Sequence, residues 1–347
     1  MSYVTKVSPV LSVCIPTYNR SIWLENTLKA AWNEVESSIG CAELVVSDNA
    51  SPDNSRELIE RYTGNPMFVP VFQHENVGPV RNMHDLVTKH ARGTYVWLIG
   101  DDDFIVPGAI GRILQCIKEH AEISFFFANY FRWMPSHEGA VPDFADLRLT
   151  ERYGSARNDD FEVSKIVDLV GCDIHCFTPI YGSIVRRDLA ATMYSRGLGE
   201  TYGNLLSLYP QALFVAEEML QRPGFHIGYP CVFASEMISW SAVAPLVAIK
   251  LYPDLLDSFE FNGAPKKQLD TIRKDVLAKS PHYAVRLLLQ KPHSLVNLRQ
   301  LFGFYWRYRS LPKVGKTIIK TVIFLLIDIL PKQLTGLLRG MKRRMSA

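Results

Sequence analysis

The chain has 347 residues, 48% of them hydrophobic, enough for one large core or two modest ones, which excludes a disordered or fibrous protein. Its net charge of +3 is too mild to argue for a nucleic acid partner. That charge is unevenly spread: residues 307–347 carry about ten Lys or Arg against a single acid, Asp328, and the rest is slightly acidic.

The opening residues, MSYVTKVSPV, lack the basic start and apolar run of a secretory signal, so a cytoplasmic protein is expected. Cys14, Cys41, Cys116, Cys172, Cys176 and Cys231 lie scattered in apolar contexts and read mostly as small core residues rather than a disulfide framework. CDIHC, residues 172–176, resembles half a zinc site, but no second pair of ligands follows at metal-site spacing.

VLSVCIP, residues 10–16, is a short apolar run ended by proline and predicts a buried strand. Trp23, Leu24, Leu28, Ala31 and Trp32 then recur at helical spacing after Asn19 and Ser21, with Gly40 closing the helix. AELVVSD, residues 42–48, is a second buried strand; NASPDN after it is dense in turn formers, and residues 55–62 are helical in pattern. MFVPVFQH predicts a third strand, NVGP a turn, residues 81–92 a helix, and TYVWLIG a fourth strand that runs into three aspartates. This βαβαβαβ order predicts a mostly parallel sheet covered on both faces, with ligands at the carboxyl ends of the strands. Residues 107–119 follow as a helix, ISFFFANYF as a strand, and residues 135–160 as a long loop rich in Pro, Gly, Asp and Asn. The second half adds a strand-like FTPIYGSIV, a helix over residues 188–195, another from Thr201 onward, and a helical pattern from about Trp240 to the end.

GDDD, residues 100–103, carries the sharpest chemical signal. Three adjacent carboxylates repel one another, and a cation is the simplest compensation. Mg²⁺ or Mn²⁺ held by one or two carboxylates suits that chemistry and would neutralise charge on a leaving nucleotide diphosphate. A solvated acidic turn is the competing reading, weakened by the buried strand just before it.

LSVCIPTYNR, SDNAS, NVGPVRN and WLIGDDDFIVPG, in this order, closely resemble glycosyltransferase family 2 over residues 10–125, and more weakly over residues 160–240. The resemblance implies a GT-A fold: an α/β, Rossmann-like mixed sheet with helices on both faces, here with a helical C-terminal extension. It implies inverting transfer from a nucleotide diphosphate sugar, with Mn²⁺ or Mg²⁺ as cofactor. The family's nucleotide-binding segment falls on Pro16, Thr17, Tyr18 and Asn19, and its base-binding aspartate on Asp48, for which an Asx turn is the alternative. Asn76, Gly78, Arg81 and Asn82 match the next motif with one residue fewer than its commonest form, so either Arg81 or Asn82 can face the donor. The metal-binding position of the D-x-D pattern falls on Asp102, with Asp103 as a further ligand. Gly100 stands where the first Asp is usual, leaving Asp101 to supply the lost contact to ribose or sugar. The family's general base maps to Glu200 in LGETYGN, with Glu217 and Glu218 as alternatives and Thr201 in place of the usual Asp.

TIIKTVIFLLIDIL, residues 317–330, is apolar but interrupted by Lys320 and Asp328, short of the roughly 20 residues needed to span a bilayer. Beyond Pro331, Leu334, Leu337, Leu338, Met341 and Met345 form one helical stripe beside Lys332, Arg339, Lys342, Arg343 and Arg344, so the tail is expected to lie on an anionic membrane surface. A core helix of a dimer is the alternative. Within the family the GDDD form and the tail are similar to bacterial O-antigen and capsule enzymes acting on polyprenyl-diphosphate-linked saccharide acceptors. The Gly-rich opening loop of sugar nucleotidyltransferases is absent from residues 10–30, and retention of Asp48 and Asp102 argues against an inactive binding module. The expected divisions are a nucleotide-sugar half (1–130), an acceptor half (131–245), a helical region (246–310) and the basic tail (311–347).

Overall fold

The computed structural model describes residues 8–143, 154–155, 157–171, 177–198, 203–236, 242–290 and 295–329. The chain forms two compact units, residues 1–201 with 206–238, and residues 202–205 with 239–347. The first holds a nine-stranded sheet.

Four parallel strands begin that sheet: β1 (Leu11–Thr17), β2 (Ala42–Asp48), β3 (Phe68–Phe72) and β4 (Tyr95–Leu98), ordered β3-β2-β1-β4. Between them run α1 (Ser21–Ser37), α2 (Ser55–Glu60) and α3 (Pro79–Asp85), the last continuing as a widened turn through His90. The chain steps from β1 outward to β3, then returns across β1 to β4. Right-handed crossovers in opposite directions place α1 and α2 on one face and α3 on the other. The crevice at that reversal opens at the carboxyl ends of β1 and β4, where Thr17 and the GDDD residues stand. At the opposite strand ends, buried Glu43 accepts from Ser12 Oγ (2.6 Å), Arg92 Nε (2.6 Å) and Arg92 N (2.6 Å), so one carboxylate ties β1 and β2 to the entry of β4.

Beyond β4 the sheet becomes mixed. The two-residue strand β5 (Phe104–Ile105) leads into α4 (Ala109–Glu119) and the long β6 (Phe125–Trp133); β7 (Phe161–Val163) and β8 (Ser183–Arg186) precede α5 (Arg187–Ser195). After α6 (Leu205–Leu208) and α7 (Pro210–Phe214), β9 (Gly224–Ser235) closes the unit, parallel to β6 and antiparallel to β5 and β7. A register shift between Ala128 and Tyr130 leaves Asn129 wholly buried, where its amide donates to Gly228 O at 2.8 Å and accepts from Ser155 N at 2.9 Å. That side chain satisfies backbone groups the broken ladder would otherwise strand.

The expectations over residues 10–119 match these elements to within a few residues, and the sheet is mixed with a helical C-terminal region as expected. Three differences stand out. The sequence pattern predicts no strand between Thr201 and Trp240, yet β9 is the longest in the sheet. Only the last part of FTPIYGSIV is strand, because residues 180–182 form a 3₁₀ turn. The division expected at residue 130 falls inside β6.

The second unit is helical: α8 (Ala244–Leu246), α9 (Tyr252–Phe261), α10 (Lys266–Leu289), α11 (Leu295–Arg307) and α12 (Val314–Ile329). Ile249, Leu277, Ala284, Leu287, Phe304 and Tyr308 form its core. Arg273, buried on α10, pairs with Asp257, Glu260 and Asp270, so its charge is fully compensated where it is desolvated. No helix among the described residues is long and apolar enough to cross a membrane. The basic residues beyond Pro331 lie outside the described residues.

Candidate active site

Thr17 ends β1 opposite Asp48 at the end of β2, so the parallel register by itself brings two of the expected site residues together. Thr17 Oγ donates to Asp101 Oδ2 at 2.8 Å. Pro16 is partly exposed, Tyr18 is exposed, and Asn19 takes a left-handed backbone (φ 56°) that turns the chain into α1. The loop after β2 holds that turn: Ser51 Oγ accepts from Asn19 N (2.8 Å) and Asp53 Oδ2 from Ser21 N (2.8 Å), supplying the first turn of α1 with an acceptor from elsewhere in the chain.

Arg20 was not among the residues singled out from the sequence, and it is central. Its Nη2 lies 2.6 Å from Asp102 Oδ2, and its Nε 3.0 Å from Asp101 Oδ1, within ion-pair reach but without hydrogen-bond alignment. Burial alone would lower the guanidinium; the charges of Asp101 and Asp102 outweigh it and raise it. The compensating cation inferred from three adjacent carboxylates is thus supplied in part by the chain. Its one trace in the sequence is that it directly follows the PTYN segment, which does not by itself give the pairing.

One guanidinium does not balance three buried carboxylates. Burial pushes Asp101 up to about 7, despite Arg20 and the Thr17 hydrogen bond. Burial and then the charge of Asp102 push Asp103 well above the usual carboxylate range. Both oxygens of Asp103 are engaged by the backbone, accepting from Gly100 N (2.9 Å) and from Ser235 N (3.0 Å) on β9. A Cβ at Gly100 would stand 2.7 Å from Asp103 Oδ2 and 3.0 Å from Asp102 Oδ1. Glycine in place of the usual first Asp is therefore what lets these carboxylates fold back over the strand end.

Asp48 is buried and its Oδ1 accepts from Ser51 N, three residues on, at 3.1 Å, a local bond that engages one of its oxygens. Asn76 Oδ1 accepts from Gly78 N (3.0 Å) and from the amide of buried Asn49 (2.9 Å), with Gly78 at φ 83° before Pro79 opens α3. Arg81 and Asn82 part company. Asn82 is buried and accepts from Ser47 Oγ at 2.6 Å, pinning α3 to β2, whereas Arg81 is half exposed and pairs with Asp85 at 3.2 Å. Glu200 lies outside the described residues; Glu218 is exposed, and Glu217 is paired with Arg196. Among the described residues, the set of three acid or histidine ligand atoms that converge is His120, Glu122 and Glu162, and Asp101 to Asp103 are not part of it.

Residues 12–173, which hold every described residue of this crevice except Ser235 and the two glutamates, match the model of "Glycosyl transferase family 2". The chain carries a glycosyl transferase family 2 domain. The chain is 33% identical over 116 residues to abequosyltransferase RfbV of Salmonella typhimurium, covering 33% of this chain and 34% of that protein. It is 29% identical over 113 residues to the GalNAc(5)-diNAcBac-PP-undecaprenol beta-1,3-glucosyltransferase of Campylobacter jejuni, covering 32% of this chain and 35% of that one. The chain thus spans about a third of the length of these relatives. The chain is similar in fold to S. aureus TarS residues 1–349 in complex with UDP-GlcNAc, with a TM-score of 0.51 at 17% identity, covering 96% of this chain and 87% of that one. For the family 2 domain this likeness establishes the GT-A architecture expected from the sequence.

Proposed function

We propose that this protein transfers one sugar from a nucleotide diphosphate donor to a saccharide acceptor, by inverting displacement assisted by a divalent metal. The observation that carries this reading is the gathering of Thr17, Arg20, Asp101 and Asp102 at the switch point of a GT-A sheet. The donor set fits a hard cation: two buried carboxylates, Asp101 and Asp102, with oxygen ligands only, whose ionised forms together carry one more charge than Arg20 supplies. Asp102, with Asp101 beside it, would hold Mn²⁺ or Mg²⁺, which supplies charge neutralisation for the departing diphosphate. Asp103, with both oxygens on backbone N–H groups, braces the turn and leaves its partners to face the donor.

In the proposed reaction an acceptor hydroxyl attacks the anomeric carbon, the bond to the diphosphate oxygen breaks, and a carboxylate takes the hydroxyl proton. Glu200 is the proposed base. Asp48 and the exposed ring of Tyr18 are the proposed contacts for the donor's base, and Asn76, Gly78 and Arg81 are proposed as further donor contacts. A lipid-linked acceptor in surface polysaccharide synthesis is supported by the undecaprenol-linked acceptor in the name of the Campylobacter relative and by the basic end of the chain.

The test is hydrolysis or transfer from nucleotide sugars assayed in EDTA and with added Mn²⁺. Activity is expected only with metal, and Asp102→Asn is expected to lose at least about 100-fold with its folding unchanged. Full activity in EDTA, or near-normal turnover of the variant, refutes the metal-assisted reading.

A further inference from the structure

The second unit leaves several large apolar side chains of two helices uncovered. On α11, Leu298, Phe302 and Trp306 recur every four residues and are 54%, 71% and 59% exposed, with Phe302 and Trp306 stacked at 6.2 Å between ring centroids. The helix's other side is spent on the core: Phe304 and Tyr308 are buried, and Tyr305 Oη meets Thr321 Oγ1 of α12 at 2.5 Å. On α12, Phe324 and Ile323 pack against Val285, while Ile318, Ile319 and Val322 face outward. Stripes of large side chains at helical spacing, exposed on two neighbouring helices, mark a docking surface rather than scattered exposure.

The charge around them identifies the partner. Between Leu295 and Ile329 the chain has six Lys or Arg and one acid, Asp328. Arg307 is turned inward onto Asp254 and Asp257. Arg299, Arg309, Lys313 and Lys316 have no carboxylate partner among the described residues, and the Arg309 guanidinium lies 4.5 Å over the Trp306 ring. A protein partner's apolar face would gain nothing from a rim of four unpaired cations unless it were acidic. A bilayer supplies both halves at once: hydrocarbon for Leu298, Phe302 and Ile319, a headgroup zone suited to tryptophan, and lipid phosphates for the cations.

We propose that the outward faces of α11 and α12 dock the protein onto an anionic membrane, with Phe302 and Trp306 as the inserted anchors. This rests on the reading of a membrane-linked acceptor given above; it keeps the apolar segment of the expected tail, folded as α12, and adds α11 upstream of that tail as the principal anchor. The apolar stripes then supply burial that salt does not weaken, and Arg299, Arg309, Lys313 and Lys316 supply attraction that it does.

The test is flotation of the full-length protein with phosphatidylcholine vesicles with and without phosphatidylglycerol. Wild type is expected to float with the anionic vesicles, and the triple variant Leu298→Gln, Phe302→Gln, Trp306→Gln to lose at least about tenfold in partitioning. Because the three side chains are exposed, its thermal midpoint and its donor hydrolysis with Mn²⁺ should match wild type. Neutralising Arg299, Arg309, Lys313 and Lys316 to Gln should leave weaker binding with a smaller response to salt. Equal flotation of the triple variant overturns the proposal and points to the terminal tail. A wild-type dimer that the triple variant dissociates, with no flotation by either, also overturns it and makes this face a self-interface. Donor hydrolysis absent from wild type refutes the proposed activity and leaves the vesicle result to judge the docking face independently.

Discussion

Arg20 sets the electrostatics of the crevice more than any other side chain, because it is the cation facing two carboxylates that burial has stripped of water. Breaking a buried pair by removing one partner leaves the other uncompensated, so Arg20→Met is expected to cost about 3 kcal/mol in urea denaturation with EDTA present. Added Mn²⁺ should recover part of that loss, and a variant as stable as wild type would show the pair to be dispensable. Asp85 offers a pH-dependent counterpart. Burial pushes its carboxyl up, but hydrogen bonds from Lys89 and His84 outweigh this and hold it below the ordinary carboxylate value, with the Arg81 charge acting in the same direction. A carboxyl lowered by folding adds stability above its unfolded value and loses it as pH falls through the folded one. Asp85→Asn should therefore be less stable than wild type at neutral pH and converge with it in acid, measured by thermal denaturation across the range. A gap that persists unchanged into acid would mean the loss is one of packing. Among the site residues, Asp101 and Asp102 were readable from an acidic run after a strand, whereas Arg20 was not. Its role depends on Arg20, just past the end of β1, meeting Asp102, just past the end of β4 and 82 residues away in sequence.

At the scale of elements, β1 and β4 are held together by more than their ladder. Gly93 lies so close to β1 that a Cβ there would sit 2.6 Å from Ser12 N and 2.8 Å from Leu11 C, both backbone atoms that cannot move aside cheaply. The same glycine's N–H donates to Ser12 Oγ at 2.8 Å, which in turn donates to Glu43. Gly93→Ala is expected to destabilise by about 1–3 kcal/mol in chemical denaturation. An alanine variant as stable as wild type would mean the strand entry can shift. The elements of this half were legible because each buried strand is a short apolar run ended by turn residues, and each helix carries its own apolar stripe. The strand β9 was missed for the same physical reason in reverse. GFHIGYPCVFAS contains glycines and a proline that read as turn signals, and they are tolerated because Gly228 receives Asn129 and approaches Asn158 too closely for a Cβ.

In the whole molecule, every described residue of the crevice belongs to the first unit, and the uncovered apolar and basic helices belong to the second. Residues 1–238 alone are therefore expected to fold and bind a nucleotide diphosphate with Mn²⁺ as the full chain does, measured by calorimetry. Loss of that binding in a folded fragment would mean that the second unit completes the donor site. The alternation of strands and helices, the place of the acidic run and the basic end of the chain are local patterns of spacing and charge, and one sequence states them in full. The pairing of Arg20 with Asp101 and Asp102, the separation of buried Asn82 from exposed Arg81, the turning of Asp103 onto Ser235 and the outward set of Phe302 and Trp306 are not local. Each depends on which strand ends or helix faces meet across long stretches of chain, and hydrophobic periodicity tells which side of an element is buried without telling what it is buried against.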